Sequence, residues 1–339
     1  MKRLIVDVSP IFYSNLISSV SEAKREGQKK NADGIIEFNK SVLIFKIFEE
    51  LAQLKNTYKV QEVILAFDNP KGGYWRKNYY DRYKYGRKEA REKSDIDWSA
   101  GFKVFDEVTE ILEKYTSFSC VSVPTLEADD IAFVLSEQFS KQGDQTVLFT
   151  IDQDWIHALN YPGVQVYRSR KTQRLEPLHE VKTEQELKDK IEEHCVFGDK
   201  GDGFLHIKSW TKFSDEFIAE YPNFKGREQE LYPKHHKIEA MYNEKHNWTK
   251  KAYKHPRFGW KSFKKSSTTL EEILKENPIH QKNYDMNKKL CLPMYVPTEL
   301  ATSIKENYSQ TSKTASYPEL QKFFLQNNLF ELNGNISNF

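Results

Sequence analysis

The chain has 339 residues, of which 38% are hydrophobic and 29% are charged, with 51 Lys and Arg against 49 Asp and Glu. This length accommodates two domains with buried cores, and a net charge of +2 neither requires nor excludes a polyanionic partner. The cysteines Cys120, Cys195 and Cys291 are odd in number and widely separated. Their spacing excludes a disulfide framework or a zinc motif and indicates a reducing compartment.

The sequence has no run that approaches the roughly 18 apolar residues of a membrane span. Its first apolar run, "LIV" after Arg3, is too short for a signal peptide. We therefore expect a soluble intracellular protein.

Strands and helices are predicted to alternate along the first half of the chain. In chain order, the predicted elements are a strand at 3–8, a helix within 35–55, a strand "VQEVILAFD", a helix at 102–115, a strand "FSCVSVP", a helix "TLEADDIAFVLSEQFS" and a strand "TVLFTIDQD". This order predicts an α/β fold with a mostly parallel central sheet and helices on both faces. We expect it to occupy residues 1–185, with a mainly helical domain at 186–339.

Carboxylates recur where the predicted strands end and where one predicted helix begins. The members of this series are Asp7, Asp68, Glu127, Asp129, Asp130, Asp152, Asp154, Asp199 and Asp202. Ligands of an open α/β sheet gather at the carboxyl ends of its strands, so these acids are expected at one edge. Taken singly, each acid is explained as well by a turn, a helix start or a loop. Their joint order along the chain favours a functional site.

So many carboxylates in one cleft need counter-charge, because each like-charge pair at about 4 Å costs about 4 kcal/mol at an effective dielectric near 20. Mg²⁺ prefers oxygen ligands and keeps several waters, which suits a site of this kind. Two such ions can promote cleavage of a phosphodiester bond. The sequence therefore predicts a site for two Mg²⁺ ions, in which Mn²⁺ is expected to substitute.

The segment of residues 71–95 is both basic and aromatic. Basic side chains neutralise phosphates and aromatic faces stack on unpaired bases, so we expect this segment to bind nucleic acid. A solvated helix surface is the alternative interpretation, which the density of aromatic residues weakens. The residues expected to contact nucleic acid are Arg76, Lys77, Arg82, Tyr83, Lys84, Arg87 and Lys88. A second basic region, at 233–265, is explained equally well as a duplex-binding surface or as solvated surface.

These motifs together resemble the 5′-nuclease (flap endonuclease, 5′→3′ exonuclease) family, and within it the ribonucleases H of T-even phages. The resemblance rests on "IVDVS", on "FDNPKGGYWRKNYYDRYKYGRKEAR", on "LEADD", on "IDQDW" and on "GDKGD", in that order. One departure is "GDGFLHIKSW", which lacks the glycine-rich helix-hairpin-helix pattern of many members. The resemblance spans about residues 3–205.

The resemblance implies roles for the motif residues. Asp7, Asp68, Glu127, Asp129 and Asp130 would hold the first metal, with Asp129 in an outer shell and with Glu127 and Asp130 facing the cation. Asp152, Asp154, Asp199 and Asp202 would be associated with the second metal. Residues 71–95 would form a basic arch that engages the 5′ strand. The residues expected to take part directly in catalysis are Asp7, Asp68, Asp130, Asp152, Lys84 and Arg76.

The implied function is a Mg²⁺-dependent 5′→3′ exonuclease and flap endonuclease with ribonuclease H activity. It would remove RNA primers and 5′ flaps during lagging-strand replication, as a monomer in the cytoplasm, that of the host cell if a phage encodes it. The expected partners are DNA and RNA–DNA hybrids with a 5′ end or flap, and replication proteins such as a single-strand binding protein or a sliding clamp. The alternatives are a PIN-type endoribonuclease and a non-catalytic nucleic-acid binding protein.

Overall fold

A computed structural model describes most of the chain. The described residues are 1–80, 83–84, 86–152, 154–169, 175–177, 183–199, 202, 207, 215–225, 238, 241–242, 244–245, 263, 269–276, 278–311 and 314–339. Arg82 and most of the second basic region, 233–265, lie outside them, as does most of the segment that departs from the glycine-rich hairpin pattern.

The described strands form a six-stranded sheet in the order β3-β2-β1-β4-β5-β6. Their bounds are β1 Lys2–Asp7, β2 Glu62–Ala66, β3 Ser119–Val121, β4 Gln145–Phe149, β5 Val164–Ser169 and β6 Leu175–Pro177. The first five strands pair in parallel and only β6 is antiparallel. The predicted α/β fold with a mostly parallel sheet is therefore confirmed.

The helices of the described residues fall between and after these strands. Their bounds are α1 Val8–Arg25, α2 Lys40–Tyr58, α3 Gly86–Glu92, α4 Trp98–Tyr115, α5 Ala128–Lys141, α6 Glu184–Phe197, α7 Asp215–Glu220, α8 Leu270–Glu276, α9 Pro278–Cys291, α10 Thr298–Gln310 and α11 Tyr317–Gln326. Short 3₁₀ helices lie at Trp75–Asn78, Asp154–Asn160, Pro222–Phe224, Pro293–Tyr295 and Phe330–Asn338. Of the helices described, none combines the length and apolar character needed to cross a bilayer.

Side-chain caps explain where two of these helices begin. The Oδ1 atom of Asn39 accepts from the backbone N–H of Val42 at 3.2 Å, before α2. The Oδ1 atom of Asp97 accepts from the backbone N–H of Ala100 at 2.8 Å, before α4. Each cap satisfies a backbone donor that the first turn leaves without an intrahelical partner.

The chain divides into two compact units. The first unit comprises Met1–Trp75, Lys88–Leu187 and Pro293–Phe339, and the second comprises Arg76–Arg87 and Lys188–Leu292. The longer segment of the second unit begins at Lys188, and the predicted division into 1–185 and 186–339 stays a prediction. Residues 76–87 of the arch belong to the second unit, and residues 293–339 belong to the first.

Buried contacts explain why the last 47 residues, 293–339, belong to the sheet-containing unit. The hydroxyl of Tyr308, on α10, donates to both carboxylate oxygens of Glu62 in β2, at 2.8 and 2.9 Å. The ring of Phe48, on α2, packs edge-on against Phe324 and Phe339 at centroid distances of 5.2 and 5.4 Å. Through these long-range contacts, residues 293–339 form part of the same hydrophobic core as β2 and α2.

Candidate active site and the basic arch

Asp7 ends β1 and is joined to the next strand of the sheet by a hydroxyl. The Oγ1 atom of Thr150, which follows the neighbouring strand β4, donates to Oδ2 of Asp7 at 2.8 Å. The same Oγ1 atom accepts from the backbone N–H of Asp152 at 2.9 Å. Asp7 itself is only 6% exposed. Thr150 therefore fixes the buried Asp7 carboxylate and the turn that carries Asp152 relative to each other.

Asp68 lies two residues beyond β2 and links two helix starts. Its Oδ2 atom accepts from the hydroxyl of Ser9, in the first turn of α1, at 2.8 Å. Its Oδ1 atom accepts from the backbone N–H of Ala128, the first residue of α5, at 2.9 Å. Asp68 thus connects the segment after β1 with the start of α5, as expected for acids that meet at one sheet edge.

The three acids of the α5 start lie close together. Glu127, Asp129 and Asp130 each offer a carboxylate oxygen, and these atoms lie within 4.8 Å of one another. Asp130 is fully buried, and its Oδ2 atom accepts from the indole Nε1 of Trp75 at 3.0 Å and from the backbone N–H of Glu127 at 3.1 Å. Asp129 is half-buried.

Burial and hydrogen bonds distinguish the α5 acids, whose roles toward a metal stay a prediction. Asp130 was expected to face the cation with Asp129 in an outer shell. In the structure, Asp130 is buried with two N–H donors on its Oδ2 atom, and Asp129 is the more accessible carboxylate.

The loop after β4 presents the last acids of the first unit. Asp152 is exposed and Asp154 is half-buried at the start of a 3₁₀ helix. The backbone N–H of Asp154 donates to Oδ1 of Asp152 at 3.0 Å, which holds the two acids in one turn. The donor set of the sheet edge is therefore made of carboxylate oxygens, which fits a hard divalent cation such as Mg²⁺.

Asp199 and Asp202 belong to the second unit, where the arch engages Asp202. Its carboxylate accepts from Nη2 of Arg87 at 2.7 Å and from the Tyr83 hydroxyl at 2.9 Å, and Nζ of Lys84 lies 3.8 Å away. The backbone N–H of Lys84 also donates to the carbonyl oxygen of Asp202, at 2.9 Å. In this structure the Asp202 carboxylate is therefore bound by arch side chains.

The arch residues differ in how accessible they are. Lys77 and Arg87 are exposed, which suits contact with a phosphate. Arg76 and Tyr83 are 0% and 2% exposed, and Nε of Arg76 donates to the carbonyl oxygen of Leu290 at 2.8 Å. Burial of this kind favours a structural role for both side chains over the expected contact with nucleic acid.

Two further arch residues, Lys88 and Arg82, lie partly or wholly outside the described part of the chain. The side chain of Lys88, in α3, lies outside the described part of the chain, and Arg82 lies outside it altogether.

The hydrogen-bond donors that orient the acids were missed by sequence reasoning. Ser9, Trp75 and Thr150 each donate to a carboxylate of the series. A hydroxyl residue one or two positions from a strand end was the available signal for Ser9 and Thr150. Trp75 gave no such signal, since its partner Asp130 lies 55 positions further along the chain.

Comparisons with known proteins agree with this geometry. The family described as "5′-3′ exonuclease, N-terminal resolvase-like domain" matches residues 4–192. The ribonuclease H of Enterobacteria phage T4 is 34% identical over 103 residues, which is 30% of this chain and 34% of that protein. The chain is thus matched to about a third of the length of this curated relative.

Solved structures show the same fold. A phage T5 5′-exonuclease with bound zinc ions has a TM-score of 0.55 at 15% identity, covering 92% of this chain and 99% of its own. A phage T5 flap endonuclease in a pseudo-enzyme-product complex with DNA and metal ions has a TM-score of 0.53 at 16% identity, covering 91% of this chain and all of its own. Because the family match extends over more than half of the sequence, the chain belongs to the 5′–3′ exonuclease family.

Proposed function

We propose that this protein is a Mg²⁺-dependent 5′ nuclease, a two-metal-ion phosphodiesterase that acts as a 5′→3′ exonuclease, a flap endonuclease and a ribonuclease H. Its substrates would be DNA and RNA–DNA hybrids with a 5′ end or flap. Its role would be to remove RNA primers and 5′ flaps during lagging-strand replication, as a phage protein.

The observation that supports this proposal most is the connected network of acids at the carboxyl edge of the sheet. Asp7 and Asp152 share the hydroxyl of Thr150, and Asp68 accepts from the first residue of α5, which carries Asp129. A set of buried and half-buried carboxylates held in fixed positions is costly unless a cation binds there. This favours a metal site over a set of unrelated turn residues.

The chain's own residues have distinct roles in the proposed reaction. One cation would be held by Asp7, Asp68, Glu127 and Asp129, and a second by Asp152 and Asp154. Thr150 orients Asp7, and Ser9 orients Asp68. Divalent cations at such a site supply Lewis-acid polarisation of a phosphoryl oxygen and increase the acidity of the attacking water. Because orientation by neutral donors leaves the carboxylate charge in place, these side chains remain able to attract cations.

The arch supplies positive charge for the substrate backbone. Lys77 is exposed, and Arg87 is exposed while paired with Asp202, so both are able to meet a phosphate. A phosphate would compete with the Asp202 carboxylate for Lys84 and Arg87, because both anions accept charge-assisted hydrogen bonds. Asp199 and Asp202 are proposed to become available to a metal ion once those cations turn to the substrate.

The substrate class and biological role are supported by the relatives. One of them is named a ribonuclease H, and another has been crystallised as a flap endonuclease with DNA and metal ions. Both come from phages, which supports a phage origin and a place in replication. The exposed cations of the arch are consistent with a nucleic-acid substrate.

A cleavage assay tests the proposal. Purified protein with Mg²⁺ is incubated with 5′-flap, nicked RNA–DNA and blunt substrates side by side, with Asp152→Asn as the paired variant. We expect 5′-end-dependent products from the native protein, and binding without cleavage from the variant. Cleavage of internal RNA sites without a 5′ end would favour a PIN-type endoribonuclease, and binding with no cleavage of any substrate would favour a non-catalytic binding protein.

A further inference from the structure

Trp75 makes a buried contact with one acid of the α5 start. The indole Nε1 donates to Oδ2 of Asp130 at 3.0 Å, and the Trp75 side chain is 4% exposed. The same Oδ2 atom accepts from the backbone N–H of Glu127 at 3.1 Å. Glu127 is the N-cap residue of α5 and Asp130 its third residue, so this second bond closes the first turn of the helix.

The backbone around Trp75 is tied to the same region by a short ladder of hydrogen bonds. The backbone N–H of Trp75 donates to the carbonyl oxygen of Thr125 at 3.0 Å. The backbone N–H of Thr125 donates to the carbonyl oxygen of Asn69 at 2.9 Å. The backbone N–H of Asn69 donates to the carbonyl oxygen of Leu126, also at 2.9 Å. The loop after β2 and the segment before α5 are therefore joined at three backbone positions as well as by the indole.

Strain at Thr125 shows that this arrangement is imposed on the chain. Thr125 has φ +71°, an unfavourable conformation for a β-branched residue that persists only where surrounding contacts hold it. Gly72 allows the close approach, since it has φ +86° and a Cβ there would lie 3.3 Å from Cγ2 of Thr125. Strained backbone of this kind is concentrated at functional sites.

We propose that Trp75 and Asp130 form a buttress that positions the first turn of α5, and that Asp130 is a positioning residue and not a metal ligand. This inference deepens the proposed function and rests on it, because the carboxylates so positioned are Glu127 and Asp129. Trp75 holds the Asp130 carboxylate, Asp130 holds the backbone of Glu127, and the turn then presents Asp129 at its accessible side.

Burial and hydrogen bonding together separate the roles of Asp129 and Asp130; burial alone does not, since the proposed ligand Glu127 is also only 2% exposed. Asp130 is 0% exposed and two N–H groups engage one of its oxygens, whereas Asp129 is half-buried. A ligand must present an oxygen to the cation, and Asp129 does so more readily than Asp130. A positioning residue must instead keep its hydrogen bonds, a requirement that an uncharged amide oxygen also meets.

The test measures Mn²⁺ binding by electron paramagnetic resonance in the full-length protein without substrate. Trp75→Phe removes the N–H donor and keeps a ring, and we expect Mn²⁺ affinity to fall about tenfold, in the range for loss of an outer-shell partner. Asp130→Asn retains an oxygen that accepts both N–H donors, and we expect its affinity to stay within about threefold of the native value. Asp129→Asn, which removes a proposed ligand, is expected to lower affinity by more than about 100-fold, beyond that outer-shell range.

Trp98→Phe is the matched control. Trp98 also donates its Nε1 to an oxygen, Oγ of Ser94 at 2.6 Å, so this variant loses the same kind of bond elsewhere in the first unit. We expect native Mn²⁺ affinity from it. The proposal is overturned if Asp130→Asn weakens binding as much as Asp129→Asn, or if Trp75→Phe binds Mn²⁺ as the native protein does.

The indole N–H resonance of Trp75 gives a second readout that needs no metal. Its disappearance in Trp75→Phe assigns it, and a charge-assisted bond to a buried carboxylate predicts a downfield position and slow hydrogen exchange. Asp130→Asn should move it upfield. A signal at the position of a free indole with fast exchange would refute the buttress, whereas failure of the native protein to bind Mn²⁺ would refute the proposed metal site and leave this result standing.

Discussion

Carboxylates are held in two different ways in this molecule. At the sheet edge, Asp7 and Asp68 accept hydrogen bonds from hydroxyl groups and a backbone N–H. In the second unit, Asp202 accepts from Arg87, with Lys84 at 3.8 Å. Neutral donors fix the direction of a carboxylate and leave its charge, whereas cations fix it and cancel the charge.

The sheet-edge carboxylates are therefore oriented but keep their charge, whereas the Asp202 carboxylate is already paired with a cation. The sheet-edge acids keep the field that draws in a divalent ion, and their hydrogen bonds reduce the reorganisation needed when it arrives. Asp202 gains its stability from the arch and must exchange partners before it can serve another ligand. The largest effects on activity should therefore come from the edge, and the largest effects on substrate affinity from the second unit.

Loss of charge at Asp68 should have the largest effect. Asp68→Asn keeps an oxygen for one donor but removes the carboxylate charge, so we expect Mg²⁺-dependent cleavage to fall by more than the roughly 100-fold typical of an outer-shell partner. Asp33→Asn, at an exposed loop position, is the matched control and should retain native rates. Single-turnover cleavage rates check this, and equal rates for Asp68→Asn and native protein would contradict the edge site.

Removal of the Thr150 hydroxyl should have the second-largest effect on cleavage. Thr150→Val leaves Asp7 without its hydroxyl donor, so we expect a loss of about 10–100-fold in cleavage and of about 1–3 kcal/mol in the free energy of unfolding.

Thr146→Val is the control, because Thr146 lies in β4, the strand that Thr150 directly follows. Thr146 is equally buried and its Oγ1 has no hydrogen-bond partner among the described residues, so this change should leave both quantities unaltered or slightly raise stability. Rates and denaturant unfolding of both variants decide the point. Equal losses in the two variants would show a packing effect without a role for the hydroxyl.

Changes in the second unit should act on binding by smaller factors. Arg87→Ala should weaken binding of a 5′ single strand and lower the salt dependence of log K by about 0.7–0.9, the value for one phosphate contact. Asp202→Asn should strengthen binding in the absence of metal, because Arg87 and Lys84 lose their anionic partner. Fluorescence anisotropy at several salt concentrations measures both, with exposed Lys103→Ala as control. An unchanged salt slope for Arg87→Ala would remove this side chain from the interface.

The smallest expected effects are on how the stability of the fold depends on pH. They concern two acids outside the candidate site, Asp144 and Glu50. The N-terminal amino group and Arg3 lower the pKa of Asp144, while burial raises the pKa of Glu50, whose carboxylate accepts an amide N–H from Asn15. Asp144 therefore stabilises the fold above its unfolded pKa, and this contribution is lost as pH falls through the lower folded pKa. Glu50 contributes stability below its unfolded pKa that is lost as pH rises through the higher folded pKa.

Two variants check these signs by thermal unfolding. Asp144→Asn should lower Tm at pH 7 and have less effect toward the acid limit, since the protonated carboxyl no longer pairs with Arg3. Glu50→Gln should raise Tm at pH 7 and leave it nearly unchanged below the carboxyl range. Opposite signs for either variant would contradict the described contacts.

Sequence patterns predicted four of the six described strands, β1 to β4, and the acids that follow them, but not β5 or β6. Strand and helix alternate in the first half, and Asp7, Asp68 and Asp152 follow apolar runs directly, so their place at strand ends is a local property. The hydroxyl partners were in principle within reach, because Ser9 and Thr150 lie within two positions of such an acid.

Other features depend on contacts that local patterns do not contain. The buried guanidinium of Arg76 donates to the carbonyl oxygen of Leu290, which lies 214 positions further along the chain. Asp130 is the buried member of two adjacent carboxylates, and its indole partner Trp75 lies 55 positions earlier in the chain. Neighbouring residues of a helix point in different directions, but nothing in their spacing says which direction is the interior.

The discontinuity of the first unit has a consequence for how the chain folds. Its β1 and α2 pack with residues from 293–339, so a large loop must close before this core is complete. Closing such a loop costs chain entropy that is recovered only when the late contacts form, which slows folding. During synthesis the sheet would therefore wait for the final helices to emerge from the ribosome. A fragment ending near residue 192, although it contains the whole family match, would expose the apolar surface that Phe324 and Phe339 cover, and would be prone to aggregation.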